Sequence, residues 1–284
     1  MPIASVTVLG AGVLGSQIAF QTAYCGFPVV AYDISEAALV AGRERCDGLA
    51  LRYEKEVSGA AGGAAQASRA RIRFSADLAD AVAEADLVIE AAPEQLALKR
   101  ELYGQLGRVA PERTIFATNS STLLPSAMAA FTGRPARFLA LHFANQIWRH
   151  NVAEVMGHPD TDPAVFTELV AFAEDIGMVP IPVHKEQPGY VLNSLLVPLL
   201  NAALLLLVEG VADPEMVDRT WTIGTGAPAG PFAILDTIGL RTPYHIAAAS
   251  NDPRFLKVAA HLKEHYLDQG KFGRESGEGF YRYT

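Results

Sequence analysis

At 284 residues, with 50% hydrophobic and 19% charged side chains, the chain has material for about two domains and can bury a sizeable core, which excludes a disordered polypeptide. A formal net charge of −8 argues against nucleic acid or an anionic membrane as the main partner. The only cysteines, Cys25 and Cys46, lack the spacing of a metal or redox motif, so no metal site is expected and reduced thiols in a cytoplasmic setting are.

The N-terminus shows no basic segment followed by an apolar run, so no secretory signal is expected. Val6, Val8 and Leu9 read as a short buried strand, and Gly10, Gly12 and Gly15 follow as G-x-G-x-x-G with a helix from Ser16 to Gly26. The glycines allow a tight turn, approach of a pyrophosphate to bare backbone, and close helix–strand packing. The helix start offers free N–H groups to phosphate, which puts Val13 and Leu14 in the cofactor-binding set. A second strand over 28–33 ends in Asp33, 18 residues past the last glycine, where an acid can accept hydrogen bonds from adenosine ribose hydroxyls. Asp33 would repel a 2′-phosphate, so the expected cofactor is NAD(H) rather than NADP(H). Arg43 reads more simply as a solvated helix residue.

A long helix is expected over 36–57, then a small-residue loop or frayed helix over 58–68, with strands at 71–74, 86–91, 114–118 and 137–143 and a helix over 95–110. Such alternation implies a Rossmann-type, doubly wound, mainly parallel sheet. Ligands bind beyond the carboxyl ends of its strands, which collects 91–94, 119–122 and 142–145 at the rim of the glycine turn. A last strand over 178–183 and the exit Pro188-Gly189 precede a wholly helical pattern. The expected domains are 1–185 for NAD binding and 186–284, smaller and all-helical. The apolar run 190–208 is interrupted by Asn193, Pro198 and Asn201, and suits a buried helix, or one packed on another subunit, better than a membrane span.

His142 ends a strand at the ligand rim, and Glu154 lies twelve residues on in another strand. A carboxylate beside an imidazole fixes its tautomer and favours its protonated form, which makes a proton donor; a lone histidine serves structure as readily. His261 to His265 matches H-x-x-E-H, but a zinc site of that type needs a further ligand well downstream and only 19 residues remain. A polar helix face is the simpler reading. Ser126 and the other hydroxyls lack the context of a hydrolytic nucleophile.

Taken together, the 6–19 segment, 86–94 followed by Lys99, 117–122, His142 to Asn145 followed by Glu154, 189–193, 226–236 and 277–283 resemble the 3-hydroxyacyl-CoA dehydrogenase family over essentially the whole chain. The resemblance implies a Rossmann domain, a helical domain that pairs subunits into a homodimer, and a place near fatty-acid metabolism. By position, His142 resembles the family's catalytic acid/base and Glu154 its carboxylate partner. Ser121 and Asn193 match residues that hold the reacting oxygen. Glu94, Lys99, Ser121 and Asn145 match those that contact the nicotinamide half of NAD. The implied substrate is a small β-keto or 3-hydroxy acid derivative.

Some positions depart from the family. Gln146 replaces the proline of His-x-x-Asn-Pro, Glu54 and Glu56 flank Lys55 where a CoA-holding helix is lysine-rich, and Glu275 stands where lysine is common. These changes weaken the case for a CoA ester, and the chain looks closer to the bacterial diketoreductases, which reduce β,δ-diketo esters. The other implied readings are a true short-chain 3-hydroxyacyl-CoA dehydrogenase, a carnitine- or gulonate-type dehydrogenase, and a non-catalytic, crystallin-like NAD(H)-binding protein.

Overall fold

The computed structural model describes residues 2–283 and divides into two compact units, 1–191 and 192–284. In the first, strands β1 (Val6–Leu9), β2 (Val29–Tyr32), β3 (Ile72–Ser75), β4 (Leu87–Glu90), β5 (Ile115–Thr118), β6 (Phe138–Phe143), β7 (Val152–Met156) and β8 (Val179–Val183) form one sheet in the order β3-β2-β1-β4-β5-β6-β7-β8. The central strands β1, β4, β5 and β6 are buried at every residue, as a sheet covered on both faces requires. Neighbouring pairs are parallel except β6 and β7.

Helices α1 (Val13–Tyr24), α2 (Glu36–Glu56), α3 (Ala64–Ala70), α4 (Leu78–Val82), α5 (Leu96–Val109) and α6 (Pro163–Asp175) accompany the strands. Ser35, Asp77 and Asp162 cap α2, α4 and α6 by accepting hydrogen bonds from first-turn N–H groups, typically worth ~1 kcal/mol each. Part of the stretch expected as loop or frayed helix over 58–68 is helical: Ala65 is wholly buried beside Tyr53 and Ala60, so packing stabilises α3 despite two preceding glycines.

The second unit contains α7 (Leu192–Val208), α8 (Pro214–Thr225), α9 (Pro231–Ile238), α10 (Arg241–Ala248) and α11 (Pro253–His265) around Leu200, Leu204, Phe232, Leu235 and Leu262. Two buried carboxylates tie it together. Asp218 accepts hydrogen bonds from the N–H groups of Phe232 and Ala233 and from the Tyr281 hydroxyl. Asp236 accepts from the N–H groups of Phe280 and Tyr281 and from the Tyr283 hydroxyl. A side chain at Gly279 would meet Asp236 Oδ1 at 2.0 Å. The 226–236 and 277–283 motifs are thus interlocking parts of one fastening. Among the described residues, no helix is long and apolar enough to cross a membrane.

Candidate active site

In the strand order, β1 and β4 lie side by side where the chain order reverses, the place at which an open α/β sheet leaves a crevice. Two cavities open there. One, of about 560 Å³, is bordered by Gly10, Asp33 and Leu102; the other, of about 250 Å³, by Leu14, Glu94, Lys99, Asn119 and Ser121. Both touch Gly12, Ala91 and Ala92, so together they suit an elongated molecule laid across the strand ends.

The glycine turn explains its own composition. A Cβ on Gly15 would fall 1.9 Å from the Gly10 carbonyl oxygen, and Gly10 has φ +100°. Gly12 faces open space, and no side chain caps α1. That leaves first-turn N–H groups for a ligand. Asp33 follows β2 directly; its Oδ2 accepts from Ala11 N at 2.8 Å and its Oδ1 from Ile34 N at 2.8 Å, so the carboxylate is fixed against the glycine turn. Arg43 pairs with Glu36 at 2.6 Å. Bare backbone, an uncapped helix start and a fixed acid fit a dinucleotide that lacks a 2′-phosphate.

Lys99 and Glu94 belong to a network whose centre, Glu90, has no place in the sequence-based site. Glu90 is fully buried at the end of β4. Its carboxylate accepts from Lys99 Nζ (2.5 Å), Ala92 N (2.7 Å), Thr118 Oγ1 (2.8 Å) and the Tyr103 hydroxyl (3.1 Å). Lys99 Nζ, itself buried, also lies 3.6 Å from Glu94 Oε2. Glu94 Oε1 accepts from Ser120 Oγ (2.6 Å) and from Thr122 N and Oγ1 (2.8 Å each), so it shapes the loop that carries Ser121. Burial pushes the Glu94 carboxyl up, but these hydrogen bonds and the Lys99 charge outweigh it and hold the group below the usual range.

His142 and Glu154 stand directly opposite each other in the β6–β7 ladder. The antiparallel pairing places both side chains on one face. His142 Nδ1 is 2.9 Å from Glu154 Oε2, and His142 Nε2 is 3.1 Å from the Ser121 hydroxyl. Imidazole and carboxylate are both nearly inaccessible, and Glu154 Oε1 accepts from Val191 N at 2.9 Å. The carboxylate can thus hold a proton on Nδ1 and leave Nε2 to exchange one toward the Ser121 side. Asn145 is exposed on the turn after β6, and Asn193 is half-buried as the second residue of α7 in the other unit.

The 3-hydroxyacyl-CoA dehydrogenase NAD-binding domain matches residues 5–187, and the C-terminal domain of the same family matches 189–283. The chain belongs to the 3-hydroxyacyl-CoA dehydrogenase family. It is 36% identical to the mitochondrial hydroxyacyl-coenzyme A dehydrogenase of Sus scrofa over 98% of this chain and 90% of that one. It is 35% identical to a probable 3-hydroxybutyryl-CoA dehydrogenase of Bacillus subtilis over 100% and 98%. Among solved structures, a diketoreductase described as catalysing reactions of dicarbonyl compounds superposes with a TM-score of 0.97 at 62% identity, each chain covered fully. Like the family, the chain is an NAD-dependent oxidoreductase acting on CH–OH groups and their keto forms.

Against the family pattern, position 146 differs in backbone as well as side chain. Gln146 has φ +59°, which proline cannot adopt, and its N–H donates to Gln17 Oε1 at 2.8 Å. The same loop is fastened to α2, where Glu56 accepts from Trp148 Nε1 (2.6 Å) and Arg149 Nε (2.9 Å). His261 and His265 lie with ring centroids 4.4 Å apart, and no group of three or more metal-ligating side chains occurs among the described residues. Cys25 and Cys46 are free; burial pushes the Cys46 thiol up to about 11.

Proposed function

We propose that this chain reduces the keto group of a small β-keto acid derivative with NADH, His142 acting as general acid, and that it favours uncharged β-keto or diketo esters over CoA thioesters. The reading rests first on the hydrogen-bonded line Ser121–His142–Glu154, whose Ser121 end borders the dinucleotide crevice. When bound, the cofactor supplies a hydride to the carbonyl carbon. Gly10, Gly12, Val13, Leu14, Gly15 and Asp33 would hold its adenosine and pyrophosphate. Glu94, Lys99 and Asn145 would shape the nicotinamide end, Glu94 and Lys99 through the network described above. His142 delivers the proton from Nε2 to the carbonyl oxygen, Glu154 stabilises the imidazolium that precedes transfer, and Ser121 donates a hydrogen bond to the oxygen as it gains charge, a role that the family resemblance extends to Asn193. Solvent then reprotonates His142.

The preference for an uncharged ester is supported by the pairing of Glu56 with Arg149 and of Glu275 with Arg241 at 2.9 Å, which occupy cations that a polyphosphate would otherwise engage. A second reading, a short-chain 3-hydroxyacyl-CoA dehydrogenase, is favoured by the relatives at 35–36% identity. We further propose a cytoplasmic homodimer paired through the helical unit. Free, protonated thiols suit a reducing compartment.

The test is NADH oxidation, followed by nicotinamide absorbance, with ethyl acetoacetate, a diketo ester and acetoacetyl-CoA in parallel. Faster turnover of the free esters is expected; steep preference for the thioester would replace this reading with the second. His142→Ala is expected to lower turnover by ~10²–10⁴ with NADH binding intact. Near-normal turnover in that variant would remove His142 from the acid role.

A further inference from the structure

The proposed acid needs a definite ring plane as well as a tautomer. Two hydrogen bonds, to Glu154 at Nδ1 and Ser121 at Nε2, hold the edge of the imidazole, which its Cβ–Cγ bond tethers at a third point, and leave its faces to be packed. A third contact covers one face. The Tyr190 ring lies 4.4 Å from the imidazole centroid and 7° from parallel to it. Tyr190 is itself 1% exposed, and its hydroxyl donates to the Ser120 carbonyl oxygen at 2.8 Å. The residues on either side reach the same groups: Gly189 N donates to the Ser121 carbonyl oxygen at 3.1 Å and Val191 N to Glu154 Oε1 at 2.9 Å.

The backbone at this point is unusual. Gly189 has φ +83° and Tyr190 φ +52°, a left-handed pair in which glycine or asparagine is at ease and a bulky aromatic residue is not. Such a residue persists where its surroundings over-determine it, and the inference runs from that outlier to function. We infer that Tyr190 is the positioning residue of this site, its ring fixing the plane of the His142 imidazole while its hydroxyl anchors the loop that carries Ser121. This assignment rests on the proposed acid role of His142. Groups that face the imidazole include Glu154 from β7, Ser121 from the loop after β5, and Tyr190. Farther charges acting on the tyrosine are Glu90, Glu94 and Glu186. Burial and the Glu154 charge keep the tyrosine hydroxyl protonated, so it remains a donor.

The experiment compares Tyr190→Phe, Tyr190→Asn and His142→Ala with the parent enzyme, using ethyl acetoacetate and acetoacetyl-CoA as substrates across pH, with NADH binding measured separately. Phenylalanine keeps the stacked ring, so most of the turnover should survive. Asparagine suits the left-handed turn but has no ring; kcat should fall by about tenfold to a hundredfold, the scale of a misplaced reacting group. NADH affinity should stay within about twofold. The kcat/KM profile across pH should differ from the parent's, because the group that delivers the proton is no longer held in place. Should the asparagine variant fail to fold, Tyr190→Gly, equally suited to the turn, takes its place. Parent-like kcat and pH profile in the ringless variant would overturn the assignment. So would an equal loss in the phenylalanine variant, or a loss confined to NADH binding. If His142→Ala keeps full turnover, the acid reading itself falls; if it collapses while Tyr190→Asn is normal, only the assignment of Tyr190 does.

Discussion

Glu94 shows how one side chain can be read correctly by position and still hold a surprise. Its place beside the dinucleotide crevice follows from the motif, whereas its four hydrogen-bond donors in the 120–123 loop are long-range and leave no mark in spacing. The same holds for Glu90. An acid closing the otherwise apolar run Leu87-Val88-Ile89, with Lys99 nine residues on, is the one local signal that could have found it, since a lone charge in a buried strand requires a partner. For Glu94 the folded-state carboxyl lies below its unfolded value of 4.5. The stabilisation is therefore fully present above that pH and is lost as pH falls through the folded value. Glu94→Gln should show a lower melting temperature than the parent at neutral pH, by the equivalent of about 1 kcal/mol or less given its exposure. The gap should close in thermal melts as the pH falls from 4.5 through the folded-state value. A gap that persists in acid would mean that shape, not charge, carries the effect.

At the level of elements, the strands and the glycine turn were legible because each is local: an apolar run, a turn of obligatory glycines, a helix start. The pairing of His142 with Glu154 was only half legible. Spacing suggested two strands, but the antiparallel reversal that sets them opposite each other depends on the whole sheet edge. The loop between them was legible as a departure from the family at Gln146 and not as a backbone change. Because Gln146 has φ +59° and donates its N–H to Gln17, Gln146→Pro should destabilise the protein by about 1–3 kcal/mol, measured by chemical denaturation. Gln146→Gly should be close to neutral. A proline variant as stable as the parent would show that this loop bends freely into another conformation.

For the whole molecule, the compact units divide after Val191, while the two family domains meet at 187 and 189, beside the boundary expected near 185. The reason is physical: Tyr190 and Val191 bond back to Ser120 and Glu154 and so belong with the sheet. The motifs of the helical half were legible as a family signature, while their work, two buried aspartates receiving backbone N–H groups and tyrosine hydroxyls, was not. That unit also leaves large apolar side chains in the open, among them Leu195 at 70% exposure and Ile223 at 74%. For the homodimer proposed above, Leu195→Glu with Ile223→Glu should yield a monomer in sedimentation velocity. An unchanged sedimentation coefficient at the dimer value would move the interface elsewhere, and a monomeric parent would remove it.

The β6–β7 ladder carries a further consequence for how this scaffold can change. His142 and Glu154 are registered by strand pairing, and a slip of one residue would send every side chain of a strand to the opposite face. Their meeting is an all-or-none property of the ladder. The connection from 144 to 151 is therefore constrained twice over, by the turn length that sets the register and by the bonds of Gln146, Trp148 and Arg149 to Gln17 and Glu56, so a change in its length should cost the proton-handling pair.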